Sequence, residues 1–215
     1  MWDFITNKLR ISALNLRWRA HTDEERSFYS DRTEDLEYKF PFGFKELWGL
    51  AYRTNYDLTQ HSNLAKKDLT ITDPQTGKKI LPHVIEPAVG INRLLLITLI
   101  ESYCEEEKRV VLKLPPLLAP YKIAVFPLLA NKENLVEKAN EIYDELKEHF
   151  MVVQDSRGNI GKRYLSQDEI GTPWCVTVDF DSLDDGKVTV RDRDTTKQER
   201  VAIKELKDYF YKKLN

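Results

Sequence analysis

"VIEPAVGINRLLL", Val84 to Leu96, decides how the rest of the chain is read. An apolar run meets a carboxylate, Glu86, and then Pro87; Gly90 follows, and Arg93 enters a row of leucines. Strand, tight turn and helix are expected in succession, with Gly90 letting the backbone turn and Glu86 and Arg93 on either side of it. The plain reading of such a pair is an ion pair, and exposed ion pairs contribute little. The chemical reading is a grip. A sheltered glutamate takes an ammonium group through a charge-assisted hydrogen bond. An arginine at a helix start adds its fork of donors to the positive end of the helix, which suits a phosphate. Upstream, "GFKELWGLAYRTNYDL" repeats the spacing with Glu46 and Arg53.

Working outward, the chain divides in two. Residues 1–38 are charge-rich and read as one helix followed by an exposed connection. "DLEYKFPFGFKELWGLAYRTNYDL" mixes aromatics with turn residues and reads as strands of an antiparallel sheet. "TDPQTGKKILPHVIEP" is a turn and then a strand. Residues 90–106 read as a buried helix ending in the solvated "CEEEKR". "LPPLLAP", residues 114–120, is an extended proline-rich connection. It separates a first part, residues 1–113, from a second, residues 121–215.

In the second part the pattern alternates. "YKIAVFPLL" is a strand, "NKENLVEKANEIYDELKEHF" an amphipathic helix with Leu135, Ala139, Ile142, Tyr143, Leu146 and Phe150 on one face, and "MVVQD" a strand. "NIGKRYLSQDEIG" is a short helix, and "WCVTVDF" and "KVTVRDRD" are strands joined by a hairpin at Asp185-Gly186. A final helix covers roughly residues 201–214. The expected class is α/β with an α+β first part: an antiparallel sheet, then a small α/β domain with a mostly parallel, mixed sheet.

Composition sets limits. With 33 basic and 35 acidic residues the net charge is -2, which neither demands nor excludes nucleic acid, because a local basic face is enough. Cys104 and Cys175 form no CxxC spacing, so no zinc is expected; they read as core fillers in a reduced compartment. "MWDFITNKLR" lacks the apolar core of a signal peptide, and "LLLITLI" is far short of the ~20 residues that span a membrane. A cytoplasmic protein with no membrane partner is expected. The four histidines, Trp48 and Trp174 read as ordinary packing or surface residues.

A second constellation lies at residues 155–200. "DSRGNIGKRY" follows a strand and opens a helix, where backbone amides attract anions. Arg157, Asn159, Lys162 and Arg163 add donors, and Tyr164 is placed to stack on a base. "RDRD" contributes Arg191, Asp192 and Arg193. A solvated basic rim is the plain alternative, and neither G-x-G-x-x-G nor a Walker lysine is present. Single-stranded bases are read by stacking and by hydrogen bonds to their edges.

"VIEPAVGINRLLL" resembles motif 3 of class II aminoacyl-tRNA synthetases, within residues 84–103. "FGFKELWGLAYRTNYDLTQH" is similar to the segment before that motif in glycyl-tRNA synthetases of the dimeric type. "DSRGNIGKRYLSQDEIGTPWCVTVDFD" and "VTVRDRDTTKQER" resemble the anticodon-binding domain of that family. The resemblance runs from about Asn15 onward. It implies that Arg93 contacts the terminal phosphate of ATP, that Glu86 binds the amino group of glycine, and that Arg53 holds its carboxylate. Glu46 is implied near ATP and its Mg2+, with Leu47 near the nucleotide. Asp155, Asp168, Glu169 and Asp192 become candidate readers of the cytosines that end glycine anticodons. The implied partners are tRNA-Gly, glycine and ATP, with a homodimer in the full-length family. Ala88 departs from the family's serine, whose hydroxyl touches glycine. Motifs 1 and 2 are not found, so the expectation is half of an ATP and glycine site plus an anticodon-binding domain, inactive alone. A non-catalytic accessory subunit and a stand-alone tRNA-binding module remain as alternatives.

Overall fold

The Val84–Leu96 stretch does fold as strand, turn and helix in the computed structural model, which describes residues 1–214. Two units emerge from the chain's internal contacts: residues 11–97, and residues 1–10 together with 98 onward. The division falls ahead of the proline-rich 114–120, so residues 98–113 group with the C-terminal part.

Residues 11–97 are built on an antiparallel sheet. Strand β1 (Leu16–Ala20) pairs with β2 (Arg32–Phe40), β2 with β3 (Gly43–Tyr52), and β3 with an edge strand. Between them come helix α1 (Tyr56–Ala65), the small hairpin β4 (Ile71–Thr72) and β5 (Lys79–Ile80), and the edge strand itself, β6 (Ile85–Val89). Helix α2 (Ile91–Ser102) follows the turn. Two expectations are corrected here. Residues 16–20 form a sheet strand where a helix and connection were expected, because alternating Leu16, Trp18 and Ala20 pair with Tyr38, Leu36 and Glu34. Tyr56 onward is a helix, where the expected strand continued.

One register detail governs this sheet. Leu36 opposes Trp48 but Glu37 opposes Glu46, so Leu47 is an extra residue in β3. Such a bulge shifts the following side chains to the other face. It puts Glu46 on the face that carries Gly49 and Ala51, with Asp35 and Glu37 of β2 and Glu86 and Ala88 of β6 opposite them.

The second unit begins within α2. Its hairpin, β7 (Tyr103–Glu106) and β8 (Arg109–Leu112), replaces the helix end expected at "CEEEKR". α2 therefore stops at Ser102, and Ile91, Leu95, Leu96 and Leu99 are exposed where a buried helix was expected. Then come β9 (Ile123–Pro127), α3 (Glu133–Lys147), β10 (Val152–Gln154), α4 (Ile160–Ile170), β11 (Trp174–Val178), the short α5 (Asp181–Asp185), β12 (Lys187–Asp192), β13 (Gln198–Ala202) and α6 (Leu206–Leu214). The strand order is β10-β9-β11-β12-β13, parallel across the first three and antiparallel thereafter. The connection after β11 carries a helical turn, so it is longer than a two-residue hairpin. β13 takes residues 201 and 202 from the start of the expected final helix, and α6 begins only at Leu206.

The sheet is covered on both faces. Leu135, Ala139, Ile142 and Leu146 of α3 and Leu206 and Phe210 of α6 bury one side of it with Ile123, Val125, Trp174 and Val176. Ile160 and Tyr164 of α4 pack on Ala124, Phe126 and Cys175 across the other. Burial pushes the Cys175 thiol up to about 12, which fits a core filler.

Candidate functional site

The polar face of residues 11–97 carries the first candidate site. Its floor is small: Gly49, Ala51 and Ala88. A methyl group at Gly49 would lie 3.4 Å from a Glu46 carboxylate oxygen and 3.6 Å from one of Asp35. The sequence pairs Glu46 with Arg53 and Glu86 with Arg93 by spacing; the fold exchanges the partners. Arg53 donates to Glu86 at 2.7 Å, and Arg93 lies 3.5 Å from Glu46 and also donates to its backbone carbonyl. Gly90 has no left-handed backbone. Its missing side chain instead leaves room for Arg93, whose Cδ lies 3.4 Å from where a Cβ would stand.

Arg53 is the most constrained of the four. It follows β3, and Asp57, in the first turn of α1, accepts from its Nε at 2.8 Å and from a terminal nitrogen at 2.7 Å. Its guanidinium lies 4.0 Å from the Tyr29 ring centre. Asp57 first, and then Glu86, raises the Arg53 pKa, while Arg53 holds the Asp57 carboxyl below its ordinary range. Leu47, expected beside a nucleotide, is 1% exposed, so its side chain is unavailable to a ligand in this conformation. Its carbonyl accepts from the Gly90 amide at 3.4 Å.

Sequence reasoning missed the rest of this face. Asp35 and Glu37 are nearly buried, and Arg17, Arg19 and His21 of the β1 side satisfy them: Arg17–Glu37 at 2.6 Å, Arg19–Glu37 at 3.1 Å and His21–Asp35 at 2.8 Å. The signal was present as alternation, since Arg17 and Arg19 face Glu37 and Asp35 in register. Among the described residues no group of three or more His, Cys, Asp or Glu side chains is arranged to hold a metal ion.

The second candidate site divides sharply on burial. Arg157 and Lys162 are exposed and line an open cleft of about 270 Å³ with Asp155, Gly158 and Arg163. Asn159 caps α4 by accepting from the Lys162 amide at 2.9 Å, and Glu169 is exposed. Asp155 accepts from the Arg157 side chain at 3.0 Å, which lowers its pKa. The other candidates are committed elsewhere. Arg163 is buried and donates to the carbonyl of Pro127 at 2.6 Å. The Tyr164 hydroxyl bonds Thr177 at 2.6 Å, and Arg191 lies over its ring. Asp168 is 0% exposed; Arg191 binds it with two nitrogens at 2.8 and 2.9 Å, and Arg109 adds a third bond at 2.8 Å. Arg193 is buried and donates to the carbonyls of Gly171 and Leu114. Asp192 caps the β12–β13 turn through Thr195. Asp168, Arg163, Arg191 and Arg193 are thus buried and bonded to partners inside the unit, with the Arg163 Nε alone left without one.

Comparison with known proteins fits both units. The anticodon binding domain family matches residues 122–213. The glycine–tRNA ligase of Clostridium perfringens is 50% identical over 99% of this chain and 47% of its own length. That of Caldanaerobacter subterraneus subsp. tengcongensis is 53% identical over 93% of the chain and 44% of its own. The chain is a homologue of the glycine–tRNA ligases. It spans about half the length of these curated relatives. A solved structure of prolyl-tRNA synthetase from Cryptosporidium parvum, complexed with L-proline and AMP, aligns over 99% of this chain and 44% of its own, with a TM-score of 0.70 at 19% identity. That likeness establishes the fold alone, a mixed α/β arrangement shared with that structure. Among the described residues no helix is long and apolar enough to cross a membrane.

Proposed function

We propose that this chain supplies the C-terminal part of a glycine–tRNA ligase: half of the site for ATP and glycine on residues 11–97, and an anticodon-binding domain at residues 121–215. The observation that carries the reading is identity near 50% over 99% of the chain, which takes in both units. In this reading the glycine carboxylate attacks the α-phosphate of ATP, forming the glycyl–phosphate bond as pyrophosphate leaves. Such chemistry rests on positioning and charge neutralisation more than on a general base. Glu86 takes the ammonium group, Arg53 the carboxylate and Arg93 the terminal phosphate. The resting ion pairs then exchange: the zwitterion of the amino acid replaces Arg53 at Glu86 and Glu86 at Arg53, so no charge is left unmatched.

ATP would enter as its Mg2+ complex, and Glu46 would offer that ion a carboxylate. In this reading the chain supplies only part of the ATP site and does not activate glycine alone. Arg157, Asn159, Lys162 and Glu169 are the accessible candidates for contact with tRNA-Gly. A cytoplasmic homodimer is the proposed setting of the full-length enzyme. Ala88 favours one second reading, a non-catalytic tRNA-binding relative, because an alanine offers glycine no hydroxyl.

The test is binding of glycine tRNA at fixed moderate salt, against the same tRNA with its last two anticodon bases changed. A several-fold loss is expected. Equal binding would leave only phosphate attraction and overturn the anticodon reading.

A further inference from the structure

We infer that Asp57 and Tyr29 are positioning residues for Arg53, fixing the plane in which its guanidinium meets a carboxylate. The inference rests on the reading of Arg53 as the carboxylate grip. An arginine side chain has many rotamers, and a bidentate grip requires one orientation. Here that orientation is set from two directions. Asp57 occupies the Nε edge with two bonds of 2.8 and 2.7 Å. Tyr29 presents its ring 4.0 Å from the guanidinium carbon. Together they block rotation about the last side-chain bonds and leave the far nitrogen aimed at Glu86, 2.7 Å away.

The supports are themselves anchored. Asp57 sits in the first turn of α1, where the helix's positive end favours a carboxylate. Tyr29 is edge-on to Phe28, with ring centres 5.2 Å apart, and tilted against Tyr56 at 6.3 Å. Arg53 and Asp57 are sheltered, with side chains 18% and 22% exposed, so water competes weakly for their bonds. Asp57 also keeps the local charge balanced while Glu86 changes partners. Without it, a second anion at Glu86's place would be the only counter-charge to Arg53.

The test compares two probes on the intact chain, glycine and glycinamide, by NMR titration. Glycinamide keeps the ammonium group and lacks the carboxylate, so the ratio of their affinities reports on the Arg53 grip. Asp57→Asn and Tyr29→Leu are expected to lower that ratio by about tenfold, the equivalent of ~1.4 kcal/mol, with glycinamide affinity unchanged. Tyr29→Phe keeps the ring face and is expected to retain the ratio. General loss of fold would weaken both probes together, and the thermal midpoint of each variant checks this. An unchanged ratio in Asp57→Asn and Tyr29→Leu, with Arg53→Gln lowering it, would overturn the positioning role alone. An unchanged ratio in Arg53→Gln, or no saturable binding of glycine, would overturn the underlying reading of Arg53 and this inference with it.

Discussion

Asp168→Ala is the substitution that best separates an internal support from a base reader. The aspartate is fully buried, and its two oxygens take three bonds, two from Arg191 and one from Arg109. Both arginine side chains are 8% exposed. Removing the anion leaves two guanidinium groups poorly hydrated, and Arg191 loses its ion-pair partner. Breaking a buried pair by deleting one member costs about 3–5 kcal/mol. Arg109→Ala should cost less, about 1.5–3 kcal/mol for a hydrogen bond to a charged group, because Asp168 keeps both bonds to Arg191. Urea unfolding followed by the fluorescence of buried Trp174 measures both. With a slope of about 2 kcal/mol per molar urea, Asp168→Ala should lower the midpoint by roughly 2 M, and more than Arg109→Ala does. A shift under about 0.5 M, together with lost discrimination between tRNA anticodons in the folded variant, would refute this reasoning and restore Asp168 as a reader.

Gly171 caps α4 at φ +85°, and a Cβ there would stand 2.9 Å from the Leu112 carbonyl oxygen; Gly171→Ala should cost about 1–2 kcal/mol from the left-handed backbone alone, read as a lower urea midpoint. Glu106 is held at about 2 by Arg109 and then Lys113, against an ordinary 4.5. A depressed folded pKa gives stability that is complete above about pH 4.5 and is lost as pH falls toward 2, so the thermal midpoint should decline across that window, and less steeply in Glu106→Gln. Amide exchange should be fast in α1, which buries no side chain, and slowest in β9 and β11, whose residues are all buried; equal protection would contradict the burial pattern.

Much of this was legible in the sequence, for reasons that are local. The 3.6-residue rhythm of residues 133–147 marked α3 and its buried face, because a helix packing on a sheet must present one apolar stripe. The apolar runs at residues 123–127 and 174–178 marked strands buried on both faces. Glu86, Gly90 and Arg93 announced a turn into a helix. The hairpin at residues 103–112 was missed because its charged residues read as a solvated helix end, and pairing between Tyr103 and Leu112 carries no local signature.

What the tertiary structure alone decided is which charges meet. Strict alternation puts Glu46 and Arg53 on opposite faces of β3; the extra residue at Leu47 brings both to one face. Pairing of β3 with β6 then gives Arg53 to Glu86 and leaves Glu46 to Arg93. The same holds for residues 155–193, where the sequence supplies a dense set of charges and only packing sorts them. Asp168, Arg191 and Arg193 face inward and bind one another or backbone carbonyls, while Arg157 and Lys162 stay in water. A residue's chemistry is written in its side chain. Its availability depends on burial and on partners brought from 59 or 84 positions away, as between Arg109, Asp168 and Arg193, and those are properties of the folded chain.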